Sequence, residues 1–277
     1  MPLFRQVCVT TVFGAHAERL DHTFISFAQH PFLELHAFVL GRQLPRRQLP
    51  GITYHLKEPD STWSHPIRDA DFRRWLFIDE LDADYALVVD GCDVLCLQPI
   101  PEIPELLKGG WLGAVCEHPS GRYVEGVYIG NFVNAGVTFW DIKASKNLRE
   151  EVVARGRTRF RNYVDDQLCL NEVVFAKYLD KLTILPCIYN YRAYLNRRVR
   201  GWPTTNRLDG VRIYHHDEAE RAKRLLPVGR NPPLVPLESD EKPLSRWECF
   251  LRRLKQRFKP HIVTGSWLEG IRARLFV

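Results

Sequence analysis

Two aspartates stand at the end of an apolar run, where their carboxylates could hold a metal ion. Residues 88–94 read VVDGCDV, so that Asp90 and Asp93 are separated by Gly91 and Cys92. Neighbouring carboxylates repel each other unless a cation lies between them, and a hard divalent ion such as Mn²⁺ or Mg²⁺ prefers oxygen ligands. In an extended strand this spacing points the two side chains to opposite faces, so one shared ion requires a turn at Gly91. The alternative is a pair that only makes a turn or caps a helix.

A motif with small residues follows further along the chain. Asn134, Ala135 and Gly136 open or cross an apolar segment with strand character. The small side chains of Ala135 and Gly136 let the backbone approach a ligand closely, and the amide of Asn134 can hydrogen-bond to hydroxyl groups. The motif predicts a ligand-binding edge, and its alternative is a simple turn before a strand.

Two later sites place polar groups at the ends of elements. Asp165, Asp166 and Gln167 begin a predicted helix, where one acidic residue could act only as an N-cap. His215 and His216 follow a short strand-like segment. A histidine in that position suits a third metal ligand beside two carboxylates, although a lone histidine is more often structural.

The elements that must position these residues alternate between strands and helices in the first half of the chain. The predicted strands are Gln6–Val12, Leu35–Leu40, Ile52–Leu56 and Tyr85–Val89, and the predicted helices are Glu18–Gln29 and Ala70–Leu81. This alternation indicates an α/β fold with a mainly parallel sheet covered on both faces. Ligands bind beyond the carboxyl ends of the strands in such sheets, which is where Asp90 lies.

The second half of the chain has a less regular pattern. The predicted strands are Trp111–Cys116, Val133–Trp140, Lys181–Leu185 and Val211–Tyr214, a helix is predicted over Asp165–Phe175, and a loop or hairpin over Gly121–Gly130. Residues 196–207 and 218–236 have the composition of loops. We divide the chain into a main domain, residues 1–240, and a helical extension, residues 241–277.

The order of these motifs resembles that of the GT-A-fold nucleotide-sugar transferases, and within them glycosyltransferase family 8, the group of bacterial galactosyltransferases and glycogenins. The resemblance runs from Gln6 to His216. It implies a Rossmann-like, mixed but mostly parallel sheet flanked by helices. It also implies metal-dependent transfer of a sugar from a nucleotide-diphosphate sugar, with a UDP-sugar favoured, to a hydroxyl of a glycan or glycolipid acceptor. Family 8 further implies retention at the anomeric carbon, whereas an inverting enzyme would use Asp165 or Asp166 as general base.

The resemblance also implies roles for individual residues. The metal ligands would be Asp90, Asp93 and His215, with His216 as the alternative to His215; the catalytic residues would be Asp166, Gln167 and Asn134; and the donor would be bound by Thr10, Thr11, Arg74, Asp90, Ala135 and Gly136, with Arg73 as the alternative to Arg74. The usual family motif has one residue between the two aspartates, and this chain has two. Some collagen-modifying glycosyltransferases have a similar D-x-x-D form.

Charge and cysteine content limit the other classes of function. The formal charge of +6 favours an anionic partner. The seven cysteines contain no C-x-x-C pair, so neither a zinc knuckle nor a redox dithiol is indicated. The sequence carries no signal peptide or membrane-span pattern, which predicts a cytoplasmic protein or one bound to the inner face of the membrane.

The extension contains a basic amphipathic segment, Leu244–Lys259, with aromatic and apolar residues on one helical stripe. It would either bind an anionic membrane surface or pack on the main domain.

Two further readings compete with a glycosyltransferase. A sugar nucleotidyltransferase would carry a basic, Gly-rich loop after the first strand, whereas residues 11–16 read TVFGAH. A basic nucleic-acid-binding protein would leave Asp90, Asp93 and Asp166 unexplained, since their carboxylates repel phosphate without a metal. We therefore expect no nucleic-acid partner.

Overall fold

The computed structural model describes residues 3–13, 17, 20, 24–63, 66–91, 93–118, 122–124, 127–129, 132–158, 165–191 and 210–215. The strands are β1 (Gln6–Phe13), β2 (Leu33–Leu40), β3 (Ile52–Lys57), β4 (Tyr85–Val89), β5 (Val94–Cys96), β6 (Leu112–His118), β7 (Arg122–Val124), β8 (Val127–Ile129), β9 (Phe132–Asp141), β10 (Leu182–Leu185) and β11 (Ile213–His215). The α-helices are α1 (Pro66–Phe77), α2 (Ile103–Leu107), α3 (Lys146–Thr158) and α4 (Asp165–Lys177). Short 3₁₀ helices cover Phe24–Gln29, Ile78–Glu80, Leu179–Lys181 and Cys187–Tyr189.

Seven strands form the central sheet in the order β10-β6-β9-β4-β1-β2-β3. Strand β9 runs antiparallel to its neighbours β4 and β6, and the other neighbouring strands pair in parallel. Because β9 is reversed, its first residues lie at the same edge as the last residues of β4. The mixed, mostly parallel sheet predicted from the sequence is confirmed.

Apolar side chains cover both faces of the sheet. On one face Val9 and Val88 pack in a cluster with Trp75 of α1 and Leu148 of α3. On the other face a second cluster includes Cys8, Leu87, Phe24 and Ile103. The alternation of side chains along β1 and β4 supplies both clusters, as expected for strands that are buried on both sides.

One charged side chain is part of the first face. Arg149 of α3 is fully buried and pairs with the carboxylate of Asp79, at 2.6 and 2.9 Å. It also donates to the carbonyl oxygens of Trp75 and Ile142, at 2.5 and 2.6 Å. These contacts tie α3 to the end of α1.

Most predicted elements agree with the structure to within about two residues. The helix predicted over Ala70–Leu81 instead begins at Pro66, since proline suits the first turn of a helix, and its last residues form the 3₁₀ turn Ile78–Glu80. The described part of Glu18–Gln29 is a 3₁₀ helix. Strands β7 and β8 pair as the hairpin expected near Gly121–Gly130. Helices α2 and α3 and strand β5 were not predicted.

Several sequence predictions concern residues beyond the described part of the chain. The extension 241–277, which contains the basic segment Leu244–Lys259, lies outside the described residues. The predicted loops 196–207 and 218–236 also lie outside them. Of the helices that the structure describes, none combines the length and apolar character needed to cross a membrane.

Candidate active site

The two aspartates of the D-x-x-D motif lie at the edge of the sheet where β4 ends. The backbone N–H of Asp90 donates to the carbonyl of Gly136 at 2.8 Å, which continues the pairing of β4 with β9. The chain then turns at Gly91 and enters β5 just after Asp93. The turn required for a shared metal ion is therefore present.

Close packing explains why glycine occupies the turn. A Cβ atom on Gly91 would lie 2.5 Å from Cγ1 of Val12 and 2.8 Å from Oγ1 of Thr10. Both distances are far below van der Waals contact, so a larger residue would push the turn away from the end of β1. The backbone of Gly91 does not adopt a positive φ, and the requirement is one of space.

A two-stranded ribbon brings the third predicted ligand to the aspartates. Strand β11 pairs antiparallel with β5, and this register places His215 opposite Val94, next to Asp93. Nε2 of His215 lies 3.5 Å from Oδ2 of Asp90 and 3.6 Å from Oδ2 of Asp93. One ligand atom from each of the three residues lies within 4.8 Å of the others. The alternative ligand, His216, lies outside the described residues.

Gly136 leaves space beside this cluster. A Cβ atom there would lie 2.3 Å from Cε1 of His215 and 2.4 Å from Oδ2 of Asp90. Any side chain at this position would therefore displace the imidazole or the carboxylate. Two carboxylates and an imidazole nitrogen form a donor set that suits Mn²⁺, so these residues fit the metal predicted from the sequence.

Arg74 of α1 connects the metal-ligand cluster to α4. Its buried guanidinium donates to Oδ1 of Asp90, to Oδ2 of Asp166 at 2.7 Å and to the carbonyl of Ala135 at 3.0 Å. Burial alone would lower the pKa of Arg74, but the nearby carboxylates raise it above its ordinary value, so the side chain stays charged. The alternative, Arg73, binds Asp69 at 2.8 Å.

An amide network joins the sugar-pocket residues that the resemblance implies. Nδ2 of Asn134 donates to Oε1 of Gln167 at 2.9 Å, and the backbone N–H of Ala135 donates to the same oxygen at 3.1 Å. The backbone N–H of Gly136 donates to Oδ1 of Asn134 at 2.9 Å. The start of β9 and the first turn of α4 are thereby held together.

The two threonines predicted to bind the donor lie in the second half of β1, before its last residues Val12 and Phe13. The Oγ1 atoms of Thr10 and Thr11 are buried, and within the described part of the chain neither has a hydrogen-bond partner. A buried hydroxyl without a partner is costly, so a ligand that reaches this edge would gain by pairing with them. Their predicted contact with the donor stays a prediction.

Two residues at the site, Asp71 and Asn190, were not predicted from the sequence. Asp71 lies three residues before Arg74, so it shares the same face of α1. Burial raises the pKa of Asp71 well above its ordinary value, and the carboxylates of Asp166 and Asp90 raise it further. The three-residue spacing between Asp71 and Arg74 on a predicted helix could have indicated that Asp71 lies at the site.

The second missed residue is Asn190, which is buried beside His215, with Oδ1 3.0 Å from Nδ1 of the imidazole. An amide between two tyrosines in an otherwise apolar stretch was the only sign of it in the sequence.

The chain was compared with known proteins. No protein-family model matches it, and no curated protein sequence does. Among solved structures, an active-site mutant of LgtC matches with a TM-score of 0.55 at 17% identity, over 79% of this chain and 94% of LgtC. A second structure of LgtC, described as a galactosyltransferase in complex with donor and acceptor sugar analogs, matches with a TM-score of 0.53, also at 17% identity and with the same coverage.

Another glycosyltransferase gives a match of similar quality. The bifunctional glycosyltransferase WbbM matches with a TM-score of 0.54 at 12% identity, over 79% of this chain and 47% of WbbM. At identities this low, the structural matches establish a common fold and nothing more. The chain therefore has the GT-A fold of these glycosyltransferases.

Proposed function

We propose that this protein is a metal-dependent glycosyltransferase that moves a sugar from a nucleotide-diphosphate sugar to an acceptor hydroxyl. The observation that supports this most strongly is the convergence of Asp90, Asp93 and His215 at the carboxyl edge of a GT-A sheet. Two carboxylates, which repel each other, and an imidazole nitrogen are brought within 4.8 Å, an arrangement that a divalent cation stabilises.

One set of site residues would bind the metal and the nucleotide diphosphate, and a second set would bind the sugar. Asp90, Asp93 and His215 would hold Mn²⁺ or Mg²⁺, which when bound neutralises the diphosphate and so assists departure of the nucleotide. Arg74 is a positioning residue, since it fixes Oδ1 of Asp90 and leaves Oδ2 turned toward His215. Thr10 and Thr11 offer hydroxyls to the nucleotide.

The sugar would bind between β9 and α4. Asp166 would accept a hydrogen bond from a sugar hydroxyl, and Asn134 would donate one through the Nδ2 hydrogen that does not go to Gln167. The small residues Ala135 and Gly136 would allow the donor to approach the backbone. Oε1 of Gln167 already accepts two hydrogen bonds, so we assign Gln167 to orienting Asn134 and the start of β9.

Stereochemistry and substrates follow from the family resemblance. We propose retention at the anomeric carbon, a UDP-sugar as donor and a glycan or glycolipid as acceptor. The LgtC complex with donor and acceptor sugar analogs supports a sugar acceptor on this fold.

Metal-linked nucleotide binding tests the proposal. We expect UDP to bind in the presence of Mn²⁺, with an affinity that falls at least about a hundredfold in Asp93→Asn, because one anionic ligand is lost. Titration calorimetry with and without a chelator measures this. Asp82→Asn, which changes an almost fully exposed aspartate, is the matched control.

The calorimetry is followed by a screen of nucleotide sugars for metal-dependent hydrolysis. Nucleotide binding that a chelator does not weaken, and that Asp93→Asn leaves unchanged, would overturn the metal-bridged mechanism.

A further inference from the structure

Asn190 stands at the junction of two parts of the site. The residue follows the 3₁₀ turn Cys187–Tyr189 and is buried, with 3% of its surface exposed. The neighbouring backbone is anchored to β11, since the N–H of Tyr191 donates to the carbonyl of Ile213 and the N–H of His215 donates to the carbonyl of Tyr191, both at 2.9 Å. Asn190 is therefore held beside His215 by main-chain hydrogen bonds.

The direction of each hydrogen bond in the amide network can be deduced from backbone groups. A backbone N–H can only donate, so the atom of Asn134 that faces the N–H of Gly136 must be the oxygen. Asn190 approaches this same oxygen at 2.9 Å, and it must therefore present its NH₂ group there. The other end of the Asn190 amide, its oxygen, is then turned toward His215.

The orientation of Asn190 selects the tautomer of the neutral imidazole. Oδ1 of Asn190 lies 3.0 Å from Nδ1 of His215, and an amide oxygen can only accept. Nδ1 must therefore carry a hydrogen, and in the neutral ring, the form that can bind a metal, this leaves Nε2 with a free lone pair. Nε2 is the atom that faces Oδ2 of Asp90 and Oδ2 of Asp93.

We propose that Asn190 is a positioning residue that holds His215 in the Nδ1–H tautomer, with Nε2 ready to bind the metal, and that couples this ligand to the sugar pocket through Asn134. The hydrogen bonds run in one direction, from His215 to Asn190, from Asn190 to Asn134 and from Asn134 to Gln167. Partners behind a ligating imidazole commonly control metal affinity in this way. The inference rests on the proposed function, because it assigns Nε2 to the metal.

Two substitutions separate the contacts of Asn190. Asn190→Leu has a similar size but removes both the acceptor for His215 and the donor for Asn134. Asn190→Asp keeps an acceptor for Nδ1–H but places a second oxygen against Oδ1 of Asn134, so that the sugar-side contact is lost. Gln6→Met is the matched control, since Gln6 is a buried amide with two hydrogen bonds at the far end of β1.

The first measurement needs neither metal nor substrate. The ¹⁵N chemical shifts of His215, assigned by comparison with His215→Gln, report its tautomer at a pH where the ring is neutral. We expect the Nδ1–H form in the wild-type protein, in Asn190→Asp and in Gln6→Met, and a mixture of tautomers in Asn190→Leu. An Nε2–H form in the wild type, or no change in Asn190→Leu, would overturn the proposal.

The second measurement is Mn²⁺ affinity, followed by the electron paramagnetic resonance of the free ion. We expect a loss of about ten- to hundredfold in Asn190→Leu and near wild-type affinity in Asn190→Asp and in Gln6→Met. Equal losses in Asn190→Leu and Asn190→Asp would contradict a role through His215. If the wild-type protein shows the Nδ1–H tautomer but binds no Mn²⁺, the proposed function fails while the tautomer assignment stands.

Discussion

The two carboxylate oxygens of Asp90 have different partners. Oδ1 accepts from Arg74, while Oδ2 lies 3.5 Å from Nε2 of His215. Arg74 also donates to Asp166, so one buried cation orients two carboxylates. Removing Arg74 would leave both carboxylates without their main counter-charge, which is strongly destabilising when the group is buried.

Asp71 adds a third carboxylate near the guanidinium of Arg74. The effect of Asp71 on the stability of the fold can be measured. The folded protein raises the pKa of Asp71, so the folded state binds this proton more tightly than the unfolded state. Stability from this group is present below the unfolded pKa and is lost as the pH rises through the folded pKa. We expect Asp71→Asn to raise the melting temperature at pH 7 by about 2–4 °C. The effect should vanish below the ordinary carboxyl pKa of 3.8, where Asp71 is protonated in both the folded and the unfolded state.

Thermal unfolding in a chelator, at several pH values, checks this prediction. Asp82→Asn is the control because that side chain is 96% exposed. A melting temperature for Asp71→Asn that is equal to or below the wild-type value at pH 7 would show that Asp71 is not an electrostatic burden on the fold.

Gly136 tests how much space the ligand cluster needs. Its substitution by alanine would place Cβ 2.4 Å from Oδ2 of Asp90 and 2.3 Å from Cε1 of His215. We expect Gly136→Ala to weaken Mn²⁺ binding more than tenfold, because two of the three ligands must move. Gly41→Ala is the control, since the nearest atom to its Cβ would be 3.9 Å away. Unchanged Mn²⁺ affinity in Gly136→Ala would rule out this placement of the ion.

The amino-acid types at the site explain what could be predicted from the sequence. Asp90 and Asp93 follow an unbroken apolar strand, so their position at the edge of the sheet was predictable. Asn190 was not, because its importance depends on a contact with Oδ1 of Asn134, which lies far away in the sequence. Tertiary hydrogen bonds of this kind leave no periodic pattern.

At the scale of elements, the β5–β11 ribbon carries His215, the third proposed metal ligand. Each strand has only three residues, and β11 pairs with β5 outside the seven-stranded sheet. The sequence reading missed β5, since a run of three apolar residues after a turn is too short to show alternation. The antiparallel pairing of β11 with β5 places His215, which is distant in the sequence, beside Asp93.

Helix α3 was missed for a different reason. Its buried residues include Arg149 and Gly156 as well as Leu148, Val152 and Val153, so the apolar stripe is interrupted by a charge and a glycine. Arg149 can be buried because Asp79 and two carbonyl groups satisfy it. Only the tertiary structure reveals those partners.

The contact between α1 and α3 predicts a cost for filling one position. A Cβ atom on Gly156 would lie 2.2 Å from Cε1 of Phe72, whose ring stacks on Trp63 and meets Trp75 edge to face. Alanine favours a helix over glycine by about 0.5–1 kcal/mol, but overpacking costs about 1–3 kcal/mol. We expect Gly156→Ala to lower the free energy of unfolding, as measured by urea denaturation.

A double-mutant cycle with Phe72→Leu identifies the source of that cost. The smaller side chain would make room for the new methyl group, so Gly156→Ala should cost less in the Phe72→Leu background than in the wild type. Equal costs in the two backgrounds would exclude the clash with Phe72.

At the scale of the whole molecule, charge and composition lead to a prediction about the extension. The sequence places aromatic and basic residues of Leu244–Lys259 on a helical pattern typical of segments that bind anionic lipid. We expect the full chain to sediment with vesicles that contain anionic phospholipid, and a chain that ends before Lys242 to remain in solution. Neutral vesicles serve as the control.

The truncated chain should keep its Mn²⁺-dependent binding of UDP, since the described ligands precede residue 216. Sedimentation of the truncated chain with the anionic vesicles would instead locate the lipid-binding surface in residues 1–241.

The late position of β11 in the chain has a consequence for synthesis. The ribosome synthesises the chain from its amino terminus. All seven strands of the central sheet, of which β10 is the last in the chain, are therefore made before His215, the third proposed metal ligand. The proposed ligand set is therefore complete only after the whole sheet has been synthesised. A chain that ends after β10 would retain the sheet-forming segments and both aspartates but lack the imidazole of His215.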